Sequence, residues 1–192
     1  MSRQERIARA LREHGAALQE SFMAQTAEVE NCAERVTAVF HGGARLLLGA
    51  SPSLAPVAEL TAQLFLHRLN FERPALPAIC LGRDATLAAA LARDGQSKLL
   101  LARQLRACGG EGDLFLGFGD LKPDPALSEA FSVARDLGCA TALVLPARVN
   151  FEGEPPDLVF RLETAAPARV AELALFFGLL LCDLVEAELF GV

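Results

Sequence analysis

The chain has little lysine: 192 residues hold Lys98 and Lys122, and the other basic residues are arginines. Acidic residues outnumber basic ones, giving a formal net charge of −6 and a pI near 5.1. A general nucleic-acid binder draws its affinity from a basic face that neutralises phosphates, so direct DNA or RNA binding is excluded as the main activity. The two lysines read as compositional bias rather than as a site. Metal-ligand spacing is also missing. Cys32, Cys80, Cys108, Cys139 and Cys182 form no CxxC and have no histidine partner at ligand spacing, so no metal is assigned. They read as buried fillers in a reducing, cytoplasmic setting. His14 and His41 read as solvated or capping residues.

Long apolar runs are missing too. The opening MSRQERIARALREHG lacks the apolar centre of a secretion signal, and Leu173–Cys182, closed by Asp183, is too short to span a bilayer. No membrane partner is expected. Yet hydrophobic residues make up 52% of the chain and mean hydropathy is +0.31, an excess that self-association would cover.

The organising stretch is Arg45–Ser53, RLLLGASPS. Arg45–Leu48 reads as a buried strand, Gly49 to Ser53 as a turn, and Ala55–Leu66 as the helix that follows. Such a turn aims free N–H groups beyond the sheet, where a phosphate would be favoured. On the other reading Ser51 or Ser53 simply caps the helix and Gly49 turns the chain. Further strands are expected at Ala78–Gly82, Asp113–Gly119, Ala140–Pro146 and Leu158–Glu163. Helices are expected at Ala85–Ala107 with a break near Gly95, at Pro125–Leu137 and at Ala166–Phe190. This alternation predicts an α/β three-layer sandwich around a five-stranded parallel sheet, with ligands beyond the carboxyl ends of the strands. Residues 1–42 read as a helical segment used in oligomer packing, and 43–192 as the domain proper. The N-terminal helices could not be stable alone and would lie on that domain or on a sister subunit.

Three stretches carry a family resemblance: Glu72–Leu81 (ERPALPAICL), Gly112–Gly117 (GDLFLG) and Ala168–Glu186 (ARVAELALFFGLLLCDLVE). In order and separation they resemble the SIS (sugar isomerase) family. The branch is the one that holds sedoheptulose-7-phosphate isomerases and a non-catalytic member that binds the DnaA replication initiator. The resemblance implies a phosphate loop at Gly49–Ser53, where Pro52 removes a backbone donor. It implies a second loop at Gly119–Asp124, where this chain has two carboxylates and Lys122 in place of hydroxyls. The family's carboxylic acid falls on Gln63 or Leu64, and its last-helix histidines on Ala174 and Leu179. The histidine near the acid falls on Glu59, so acid, base and the zinc ligands of some members are replaced, and no cofactor is implied. Ser53, Arg68, Asp84, Asp94, Gln104, Arg169 and Glu172 match family polar positions.

From this pattern the sequence reads as a catalytically degenerate, homotetrameric binding module of the DnaA-associating kind, with no catalytic residue. A degraded phosphosugar pocket is expected at Ser51, Ser53, Asp94 and Glu172. Leu189 and Phe190 are either an exposed partner contact or packing against a neighbouring subunit. The alternatives are a working sedoheptulose-7-phosphate isomerase of heptose biosynthesis and a phosphosugar-binding sensor.

Overall fold

The computed structural model describes residues 1–191. Two helices open the chain, α1 (Arg3–Met23) and α2 (Thr26–His41). A reciprocal capping box starts α1, in which Ser2 Oγ accepts from Glu5 N–H and Glu5 accepts from Ser2 N–H. Then come β1 (Leu46–Ala50), α3 (Ala55–Leu66), β2 (Ala78–Cys80), α4 (Ala85–Arg93), α5 (Leu100–Cys108) and β3 (Leu114–Phe118). The chain continues through α6 (Pro125–Asp136), β4 (Ala140–Pro146), β5 (Leu158–Leu162) and α7 (Pro167–Phe190). The strands form one parallel sheet in the order β2-β1-β3-β4-β5. Among the described residues no helix is long and apolar enough to cross a membrane.

Alternation along the strands divides the core. Leu46 and Leu48 of β1, Leu114 and Leu116 of β3 and Phe160 of β5 face α2, α3 and α7. Leu47, Phe115 and Leu143 face α5 and α6. Helix α2 contributes Val29, Cys32, Val36 and Val39 to the first of these cores, so packing draws no boundary at residue 42. Helix α1 is more peripheral and leaves Ile7, Leu11 and Met23 exposed.

The first strand differs from its sequence reading. Gly49 and Ala50 lie inside β1, and the turn begins at Ser51 with a single 3₁₀ turn over Pro52–Leu54. Gly49 is small for a packing reason: a Cβ there would stand 2.9 Å from the Phe115 ring. The helical stretch expected over Ala85–Ala107 with a break near Gly95 is two helices, and the break is Asp94–Gln96 followed by a short 3₁₀ turn over Ser97–Leu99.

A buried ion pair joins α7 to the segment after α3. Arg73 Nε donates to Glu186 Oε1 at 2.7 Å, with both side chains out of solvent. The Glu186 carboxylate also accepts from Leu69 N–H at 2.8 Å and Asn70 N–H at 3.2 Å. The rest of the guanidinium donates to the carbonyls of Leu64, Phe65 and Pro74, satisfying acceptors left free at the end of α3. Burial works to raise the Glu186 pKa, but the Leu69 amide, the guanidinium and the Asn70 amide outweigh it and leave the carboxyl below its ordinary range. Farther up α7, a Cβ on Gly178 would come within 2.2 Å of Thr61 Oγ1, which is itself held by its 2.8 Å bond to Val57 O.

Three outcomes are expected. Glu186→Gln or Arg73→Met strands a buried polar group and should cost about 3–5 kcal/mol in denaturant unfolding. Because folding lowers the Glu186 pKa, its stabilisation is complete above the unfolded carboxylate range, about 4.3, and is lost as pH falls through the folded value. The wild-type melting temperature should therefore drop more steeply below pH 5 than that of Glu186→Gln; parallel curves would remove this assignment. Gly178→Ala should cost about 1–3 kcal/mol by overpacking, and Thr61→Ala in the same chain should recover part of the loss.

Candidate functional site

Parallel strands gather their carboxyl-end turns on one rim, and the chain changes winding direction between β1 and β3, which opens a crevice there. It has a volume of about 570 Å³. Its walls are Ala50, Pro52, Ala55 and Ala58 on one side, Leu81 and Gly82 at the end of β2, and Lys98 before α5. Asp124–Ala126 at the start of α6 close it. Small side chains leave the room, and Lys98 brings the positive charge. The Gln104 amide fixes the rim by accepting from Gly82 N–H at 2.5 Å.

The two expected phosphate loops meet here. Ser53 Oγ donates to the Asp120 carboxylate, tying the turn after β1 to the turn after β3. Asp120 also accepts from its neighbour Leu121 N–H at 2.7 Å, and Asp124 caps α6 through Ala126 N–H at 2.9 Å. Neither serine caps the helix with its side chain. Ser51 is buried, gives its N–H to Phe118 O at 2.9 Å, and keeps a hydroxyl with no partner among the described residues. That hydroxyl lines a smaller hollow with Lys122, Asp124 and Asn150. Both lysines, which looked compositional, thus stand at the rim of the sheet.

Asp94 and Glu172 do not join Ser51 and Ser53. Asp94 is exposed at the end of α4 beside Arg93, with Nε 3.3 Å away. Glu172 faces α1, where it pairs with His14 Nδ1 at 2.6 Å and Arg169 Nη1 at 2.7 Å. Neither lines the crevice. The ambiguity over the acid position resolves by packing, since Leu64 is buried in the core and Gln63 lines a second hollow on the outer side of α3.

This second hollow, about 450 Å³, holds His67 and Arg83, which the sequence reading passed over. Glu59, Gln63 and His67 recur every four residues along α3 and so share one face. Across from them are Cys80 and Arg83, and Arg83 Nη2 lies 2.7 Å from Glu59 Oε1. Helical spacing from Glu59 was the available signal; the approach of Arg83 from another loop was not. Burial pushes the Cys80 thiol up to about 11, with Arg83 pulling down and Glu59 pushing up by less. The zinc set of some family members does not fit here. Its positions carry Glu59, Gln63, Ala174 and Leu179, and among the described residues no group of three His, Cys, Asp or Glu is placed to hold a metal ion.

The sheet order, the helices on both faces and the crevice at the winding reversal define an SIS-type α/β protein. No family model matches the chain. A phosphoheptose isomerase from Trichlorobacter lovleyi is 31% identical over 186 residues, 97% of this chain and 95% of that protein. One from Solidesulfovibrio magneticus is 32% identical over 180 residues, 93% of this chain and 87% of that protein. The solved phosphoheptose isomerase from Francisella tularensis shares the fold with a TM-score of 0.88 at 21% identity, covering 96% of this chain and 98% of that one. The chain belongs to the phosphoheptose isomerase family.

This kinship corrects the expectation of a degenerate, DnaA-associating regulator, because the full-length relatives carry an isomerase's name. At the C-terminal end Leu189 rests half-buried against the core, and Phe190 meets Phe71 edge to face with centroids 5.7 Å apart while keeping 37% of its surface exposed.

At pH 7.5 Cys80 should react with iodoacetamide about a hundredfold more slowly than a free thiol, because so little of it is thiolate. Peptide mass spectrometry reads the rate, and rapid labelling would show that the thiol is not held neutral.

Proposed function

We propose that this chain isomerises a phosphorylated sugar of the heptose phosphate class. The observation that carries the reading is kinship with phosphoheptose isomerases along 97% of the chain at 31% identity. The crevice supports it in kind. Lys98 provides a cation for the phosphate and the small walls accept a polyol chain, while in the smaller hollow Ser51 has a hydroxyl not committed to the protein. Gln63 and Leu179 exchange no protons, so aldose–ketose interconversion here has to use other groups. The same reading includes self-association as a homotetramer, which would cover Leu60 and Leu66 on α3 and Ile7 and Leu11 on α1.

Purified protein should convert sedoheptulose 7-phosphate to its aldose, and EDTA should not lower the rate. Lys98→Ala should weaken substrate binding roughly tenfold, about 1.4 kcal/mol. Stabilisation by the sugar phosphate in thermal shift without any turnover would favour the sensor; neither binding nor turnover would remove the assignment. Light scattering should give four times the 20.5 kDa chain mass, and a monomer at micromolar concentration would exclude the tetramer.

A further inference from the structure

Resting on that reading, we infer that Glu59 and Arg83 form the proton-transfer couple of this chain, with Glu59 as the acid–base and Arg83 as the stabiliser of the enediolate oxygens. The two line the hollow beside the crevice. Ala58 and Gly82 line the crevice, and the next residue of each, Glu59 and Arg83, lines the hollow. Their charged groups are 2.7 Å apart, and each side chain is about half exposed, so both remain open to a third partner.

The carboxylates of the rim loops are engaged, and the nearby thiol is unsuited. Asp124 is held by an amide of α6, and Asp120 by Ser53 and Leu121 N–H. Burial keeps the Cys80 thiol protonated. Lys98 lines the crevice and Glu59 the hollow, which suits a substrate whose phosphate and reacting carbons are at opposite ends.

The step balances without a metal or co-reactant. Glu59 takes the proton from C1 of the ketose; the C–H pair forms the C1=C2 bond, and the carbonyl pair moves to O2. Arg83 stabilises the charge on O2, which gains the proton that O1 gives up through solvent. Glu59 then returns its proton to C2 as O1 closes the C1 carbonyl. One carboxylate suffices, because the group that takes a proton from C1 exchanges it with solvent and returns one to the neighbouring C2.

The test compares the full-length wild type with Glu59→Gln, Glu59→Asp, Arg83→Gln and Arg83→Lys on sedoheptulose 7-phosphate. Glu59→Gln should lower kcat by about 10²–10⁴-fold with KM within about threefold, and Glu59→Asp should recover part of the loss. Arg83→Gln should lower kcat by about 10²–10³-fold, less for Arg83→Lys. In D2O the wild type should place deuterium at C2 of the aldose, and Glu59→Gln should abolish the exchange. An exposed ion pair adds little stability, so melting temperatures should stay near wild type and a folding defect would be visible. A Glu59→Gln variant that turns over within about threefold of an active wild type overturns the couple and leaves the isomerase reading standing. A wild type without turnover overturns both.

Discussion

The Arg73–Glu186 pair is the contact on which the geometry of the site depends. It sits at the end of α3, where the guanidinium donates to the carbonyls of Leu64 and Phe65, and joins that end to the last turns of α7. A buried charge is costly unless every lone pair and proton is used, and here the carboxylate takes three donors while the guanidinium serves three carbonyls. Residues 67–77 are held between helix and sheet as a result. That fixes where β2 begins, and so where Gly82 and Arg83 emerge beside Glu59.

Close approach of elements does the rest. Gly178 lets α7 rest against Thr61, and Gly49 lets the Phe115 ring lie flat on the inside of β1. Both glycines act by absence of volume, and both let a helix or ring pack closely in the core beneath the rim. The rim thus inherits rigidity from the core beneath it, the usual condition for placing reacting groups precisely enough to be useful.

Within that frame the polar groups have moved from where family likeness would put them. The acid position is an amide and the last-helix position an alkyl group, while a carboxylate and a guanidinium face one another a turn away on α3 and beyond β2. The loop after β3 trades hydroxyls for Asp120 and Asp124, yet each of those is tied to a nearby donor and is less free to repel an anion than its charge suggests. Pro52 removes an amide from the first loop, and the buried hydroxyl of Ser51 remains beside it.

What the sequence determined by itself was whatever depends on neighbours a few residues apart. Alternating apolar strands and periodic helices define the α/β sandwich, and β4 was legible to its ends because Gly138 and Pro146 bracket a continuous apolar run. Local signals failed where distant chain sets the limit. Gly49 looked like a turn until the Phe115 ring explained it as a strand residue, and the Phe71 ring that meets Phe190 was not legible from the chain end alone. The same holds for the charges. Glu59 and Arg83 are far apart in sequence, Glu172 is turned to His14 rather than to the crevice, and Lys98 gains meaning from the walls around it. Spacing along a chain reports which face a residue takes, whereas the partner on that face is chosen by tertiary packing, and the chemistry of this site lies in the partners.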